Sequence, residues 1–209
     1  MSAPQHPIGV GTRPAVVAIG GAPGSGKSTL GRALARELSA ALLDQDTMTN
    51  PLMAQLATLT GAGDDLDHPS LRGPVRDARY ACLRDTALEV SGVGCSVVLI
   101  APFTAERTDA AAWQAFSEPL TAVARPLLVE VVVDPELALT RRSRRGLPRD
   151  RQVGAAAASG TPAAAVARVV PAAPSSPSPA ADLHADGAAD PAAEATRLVE
   201  LIREFGRSG

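Results

Sequence analysis

One lysine stands among nineteen arginines in this 209-residue chain, and it is Lys27. Around it runs Gly21-Ala22-Pro23-Gly24-Ser25-Gly26-Lys27-Ser28-Thr29, a complete G-x-x-x-x-G-K-[ST] phosphate-binding loop. Glycines let backbone N–H groups close around phosphate oxygens. A compact ammonium reaches between β- and γ-phosphates where a forked guanidinium does not fit. Ser28 offers a hydroxyl to Mg²⁺. Arginine preference explains the absent lysines but not the one that remains.

The motif has meaning only between a strand and a helix. Ala15 to Gly20 is an apolar, β-branched run that enters the loop as a buried parallel strand would. Beyond Lys27 the period becomes helical, with Leu30, Leu34 and Leu38 on one face. The helix start adds its dipole to the anion site. Further strands are expected at 41–44, 96–101 and 127–133, and a short one at 183–185. Helices are expected at 50–59, 73–90, 106–117 and 191–205, and another opens at Asp134-Pro135-Glu136. Alternating strands and helices imply right-handed crossovers and a parallel sheet covered on both faces.

Composition removes several classes of function. Net charge is −2, which argues against a nucleic-acid or membrane partner. Aromatics are 2% of the chain, too few for base-stacking platforms. Cys82 and Cys95 lack metal-ligand spacing and are expected to be small buried thiols in a reducing compartment. Residues 1–13 show neither a signal peptide nor a membrane span and read as a disordered lead-in to a cytoplasmic protein. Residues 14–153 read as the core. Residues 154–181, rich in Ala, Pro and Ser, read as a low-complexity flexible insert, and 182–209 complete the same domain.

Other polar groups stand near the loop. Asp44 and Asp46 follow the second strand, at the sheet edge where open α/β folds bind ligands. Either could instead cap the next helix. Arg72, Arg76 and Arg79 recur at helical spacing, for substrate contact or for ion pairs on a solvated face. Asp64, Asp65, Asp67 and His68 read as a solvated acidic loop rather than a metal site. Six arginines crowd 141–151, with Arg141, Arg145 and Arg149 one helical turn apart if the helix continues past Gly146 and Pro148.

The loop together with Asp44-x-Asp46 resembles the small P-loop kinases. These include gluconate and shikimate kinases, chloramphenicol phosphotransferase, zeta toxins and the phage polynucleotide kinase domain. Chains of this look are often named only as AAA-family ATPases, yet no sensor or arginine-finger pattern of the ring-forming kind is present. The resemblance covers about 14–151 and returns weakly at 183–205. It implies a three-layer P-loop NTPase fold, with a five-stranded parallel sheet in the order 2-3-1-4-5 and an arginine-bearing lid. It also implies ATP and Mg²⁺ as cofactors. Asp46, or else Asp44, would orient the acceptor and take its proton. Arg72, Arg76 and Arg79 would hold the substrate, and Arg141, Arg145 and Arg149 would close over the phosphates.

Two departures are visible. The third strand ends Ile100-Ala101-Pro102-Phe103 without a Walker B acid. Mg²⁺ would then rest on Asp44 or Asp46 through water, or on Ser28 and the phosphates. There is no N-K-x-D, which argues against a GTPase. His184 and Asp186 either border an adenine pocket or lie on the surface. The expected function is a phosphotransferase for a small hydroxyl- or carboxyl-bearing molecule. The rivals are a nucleotide-driven ATPase switch with a protein partner and a nucleic-acid end kinase.

Overall fold

The computed structural model describes residues 13–61, 69–145 and 180–205, with backbone alone at 69–74 and 145. The N-terminal lead-in before residue 13, the acids Asp64, Asp65, Asp67 and His68, the insert from 154 to 179, and Arg149 lie outside the described residues.

Five parallel strands form one sheet in the order β2-β3-β1-β4-β5, as the resemblance implied. They are β1 (Ala15–Gly21), β2 (Ala41–Asp44), β3 (Val97–Ile100), β4 (Arg125–Val132) and β5 (Leu183–Asp186). The central strand, β1, is buried throughout. Its register sets Ile19 beside Ile100 on one side and Gly20 beside Glu130 on the other. The carboxyl ends of all five strands therefore share one edge of the sheet.

Among the described residues, seven α-helices cover the two faces. They are α1 (Lys27–Glu37), α2 (Gln45–Leu59), α3 (Pro69–Gly92), α4 (Thr104–Thr108), α5 (Ala110–Ser117), α6 (Pro135–Arg145) and α7 (Pro191–Phe205). Alternation along β1 divides the core. Val17 and Ile19 pack with Val129 and Leu183 against Leu30 and Leu34 of α1 and Leu198 and Ile202 of α7. Val16 and Ala18 face the other way, toward Leu83 and Ala87 of α3, with Phe103, Phe116 and Leu120. Each large apolar side chain so buried contributes roughly 1.5–3 kcal/mol.

The few aromatics are concentrated in that second layer. Tyr80, Phe103 and Phe116 meet edge to face with centroids 5.3–6.2 Å apart, and Trp113 stacks on Phe116 at 5.9 Å. Tyr80 also accepts the Phe103 N–H through its hydroxyl, at 2.9 Å. That bond holds the turn after β3, where Phe103 has φ +46°.

Local chemistry corrects four expectations. The helix expected from residue 50 starts at Gln45, because the Asp44 carboxylate accepts the Asp46 and Thr47 N–H groups. The helix expected over 106–117 is two, divided at Asp109, which is extended and caps α5 through Ala111 N–H. The face of α3 expected to be buried comprises Val75, Ala78, Cys82 and Leu83; Leu83 is buried, together with Tyr80 and Ala87, Val75 is partly buried against Met53 and Ala57, and Ala78 and Cys82 are exposed. Cys82 and Cys95 are therefore both exposed, not buried. Among the described residues no helix is long and apolar enough to cross a membrane.

Candidate active site

β1 delivers its last residue, Gly21, to the sheet edge, where its N–H donates to Pro102 O at 3.3 Å. The chain then turns back on itself, with Ser25 N–H donating to Ala22 O at 3.1 Å. Gly24 has φ +86°, and a Cβ there would lie 2.4 Å from the Ala138 carbonyl oxygen of α6. A side chain is thus excluded by both backbone conformation and space. Gly26 caps α1, and its carbonyl accepts from Thr29 and Leu30 at 3.0 Å. The opening turn of α1 directs its N–H groups into the same concavity. Lys27 Nζ lies over the loop, 3.4 Å from Ala22 O.

Facing this loop is α6, capped by Asp134 through Glu136 and Leu137 N–H. Between them lies a cleft of about 290 Å³. Gly24, Gly26, Lys27, Ser28 and Thr29 form one wall, and Arg141 and Arg144 the other. Arg141 is half-buried and donates to Gly187 O at 2.7 Å. Of the arginines expected in the lid, Arg141 therefore meets the phosphate loop. Arg145 has only its backbone described, and Arg144 was not singled out from the sequence.

A second cleft, of about 230 Å³, opens on the far side of Arg141. Thr29 and Leu30 of α1 line it, with Asp186, Gly187 and Ala189 of the β5–α7 turn. The turn is tightly organised. Asp186 accepts Ala188 N–H at 2.7 Å, and its own N–H donates to Glu194 at 2.8 Å. Glu194 is buried and pairs with Arg197, which also donates to His184 O at 2.7 Å. The hydrogen bond from Arg197 holds the Glu194 carboxyl below its ordinary 4.5, against the opposing effect of burial. Asp186 thus borders a cleft, whereas His184 faces Glu130 with Nδ1 3.8 Å from its carboxylate.

The acids and arginines of α2 and α3 form another group. Asp46 pairs with Arg79 at 2.8 Å, and its side chain is 44% exposed. Arg79 also donates to Asn50 at 3.0 Å and to Thr49 at 2.7 Å. Asp44 is committed to capping α2. Arg76 reaches Glu106 at 3.4 Å and Asp77 at 3.6 Å, and its guanidinium lies 4.4 Å over the Tyr80 ring. Burial, with Glu106 second, pushes the Tyr80 hydroxyl up to about 12. Arg72 lies in the stretch of α3 described by backbone alone. Glu106, buried at 6% exposure, was not anticipated.

The donor set of the first cleft suits a polyphosphate. A glycine cradle, an ammonium and two guanidinium groups present cationic and N–H character with no carboxylate among the lining residues. Ser28 on the same wall supplies an oxygen suited to Mg²⁺. Among the described residues no group of three or more His, Cys, Asp or Glu side chains forms a metal cluster.

A parallel sheet in this order, with a glycine loop and lysine at the end of its central strand, defines a P-loop nucleotide-binding protein. Residues 16–169 match the AAA domain family, and the chain belongs to it. Solved structures with a similar fold include a candidate kinase from Chloroflexus aurantiacus, at 20% identity and TM-score 0.62, aligned over 96% of this chain and 100% of that one. Another is the APS kinase of Mycobacterium tuberculosis in complex with AMPPNP and APS, at 18% identity and TM-score 0.60, over 92% and 99%. A third is a gluconokinase from Sinorhizobium meliloti, at 14% identity and TM-score 0.53, over 94% and 96%. The fold is that of the small P-loop kinases. No curated protein matches the chain in sequence.

Proposed function

We propose that this chain is an ATP- and Mg²⁺-dependent phosphotransferase acting on a small molecule through a hydroxyl or carboxyl group. The observation that carries the reading is the cleft in which Lys27 and the glycine loop face Arg141 and Arg144. The kinase fold of the structural neighbours supports it.

Bound ATP with Mg²⁺ supplies the phosphoryl group and spreads its charge. The protein's part is positioning and electrostatics. Lys27 and the first-turn amides of α1 hold the phosphates, and Ser28 is the metal-facing hydroxyl. Arg141, with Arg144 beside it, meets negative charge as it develops on the transferring oxygens. The second cleft, beside Thr29 and Leu30, takes the base, with Asp186 and Gly187 at its edge. Asp46 orients the acceptor hydroxyl and takes its proton late in the transfer. Its bond to Arg79 fixes its direction. Arg76 recognises a polar group of the acceptor by turning from its present carboxylate partners, and Arg79 does so while keeping its bond to Asp46.

The test uses γ-labelled ATP, Mg²⁺ and a small-molecule cell extract, with Lys27→Ala as control. A labelled metabolite that is absent with the variant supports the reading and provides the acceptor for identification. Label released only as free phosphate, at a rate indifferent to the extract, would sink it in favour of an ATPase switch.

A further inference from the structure

Beneath the phosphate loop lies a buried ion pair that neither phosphate binding nor acceptor recognition uses. Glu130 is the one charged residue in the apolar run of β4 and is only 1% exposed. Its carboxylate bonds the guanidinium of Arg107 from α4, itself 5% exposed. Such a pair is costly to bury unless its remaining hydrogen-bonding capacity is met.

Arg107 touches the root of the loop in two ways. Its Nε donates to Pro102 O at 3.2 Å, the carbonyl that also receives the Gly21 N–H at 3.3 Å. Its aliphatic stem lies against Gly20, where a Cβ would come within 2.7 Å of Cδ. Arginine and loop thus share an acceptor and a contact surface.

A third observation comes from the loop itself. Ser25 is completely buried, and its Oγ has no hydrogen-bond partner among the described residues. It borders a small cavity of about 10 Å³ whose other polar side chains are Arg107 and Glu130. That is roughly the space one water centre requires, and a buried water needs about two to four polar partners. A hydroxyl, a guanidinium and a carboxylate provide them.

We propose that this cavity binds one ordered water, which bridges Ser25 Oγ to the Arg107–Glu130 pair, and that Arg107 and Glu130 are positioning residues for the phosphate loop. The bridge fixes the loop from below at Ser25, while Gly21 is fixed at Pro102. The arc of amides between them is then set before nucleotide arrives, which lowers the ordering cost of binding. The positioning role rests on the nucleotide reading above; the water site does not.

Two measurements on the full chain test it. A high-resolution crystal structure should show a single water within hydrogen-bond distance of Ser25 Oγ and of the pair. A dry cavity, or Ser25 Oγ bonded elsewhere, overturns the bridge. Calorimetric titration with Mg-ADP should show Ser25→Ala weakened about 3–10-fold, the range for loss of one net hydrogen bond. Its melting temperature without nucleotide should fall by only a few degrees, the cost of about one hydrogen bond, so that the affinity is read on folded protein. Unchanged Mg-ADP affinity in this variant overturns the positioning role. Glu130→Gln, which keeps the shape of the side chain, should move Mg-ADP affinity in the same direction, and parental affinity in that variant likewise refutes it. Failure of the parent protein itself to bind Mg-ADP overturns the nucleotide reading and the positioning role with it, and the crystal then decides the water site alone.

Discussion

Replacing Gly187 by alanine should open the nucleotide site from the side opposite the phosphate loop. A Cβ at Gly187 would stand 2.1 Å from the backbone oxygen of Ser25, with Val131 Cγ1 and Val132 O at 3.1 Å. Real Cβ contacts do not fall below 3.0 Å, so the β5–α7 turn must retreat by about 1 Å. Both sides of the closest contact are backbone, and no rotamer change relieves it. Overpacking of this kind costs about 1–3 kcal/mol. The same shift pulls Gly187 O from Arg141, now 2.7 Å away, and weakening that bond costs about 1 kcal/mol more. The total is about 2–4 kcal/mol, a large share of the roughly 5–15 kcal/mol that stabilises a typical domain. Gly94→Ala is the control. Its φ is +90° and nothing lies within 4 Å of its Cβ position, so it carries only the conformational cost of about 1–2 kcal/mol. Urea unfolding with m-values compared gives the stabilities, and calorimetry with Mg-ADP gives the affinities. Gly187→Ala should lose more stability than Gly94→Ala and bind Mg-ADP about tenfold or more weakly, whereas Gly94→Ala should bind as the parent does. Equal stability in the two variants, with parental Mg-ADP affinity in Gly187→Ala, would refute the reasoning.

Three further predictions concern charge and protonation. Lys27→Ala and Arg141→Ala should each lower phosphoryl transfer by roughly 10²–10³-fold, measured as label transfer from γ-labelled ATP, with native circular dichroism retained. Tyr80 is the chain's single tyrosine, so tyrosinate absorbance reports it alone. Burial raises its folded value to about 12. The unfolded chain ionises first, near 10, so stability should fall as pH rises above 10, and the native absorbance midpoint should lie near 12. A midpoint near 10 in folded protein would show the hydroxyl to be solvated. Glu194 has the opposite sign. Its folded value lies below 4.5 because Arg197 hydrogen-bonds it, so its contribution is complete above about 4.5 and is lost as pH falls through the folded value. The stability gap between parent and Glu194→Gln should be constant near neutrality and close in acid; a gap independent of pH would count against the pairing.

Much of the architecture could be read from one dimension. Strand β2 at Ala41–Asp44 and helix α7 at Pro191–Phe205 have the expected bounds, and the phosphate loop lies between the strand and helix it requires. These are local signals: short apolar runs, capping acids, a motif nine residues long. What escaped depends on distant partners. Asp44 was open between catalysis and capping because either role places an acid after a strand, and only the path of α2 distinguishes them. The Arg107–Glu130 pair joins residues 23 apart, and its one trace was an acid within a valine run. Gly187 drew no expectation, since the backbone it approaches, at Ser25, is more than 150 positions earlier. Helix α3 misled because small residues on its outer side imitate a buried face.

The strand order also fixes a sequence of events on the ribosome. The glycine loop is synthesised before α6, and the turn at Gly187 follows more than 150 residues later. A nascent chain therefore carries its anion-binding loop through the synthesis of more than 100 further residues before Arg141, and of more still before the β5–α7 turn, is made. The second cleft does not exist until β5 has paired with β4, so nucleotide meets both clefts only after that pairing.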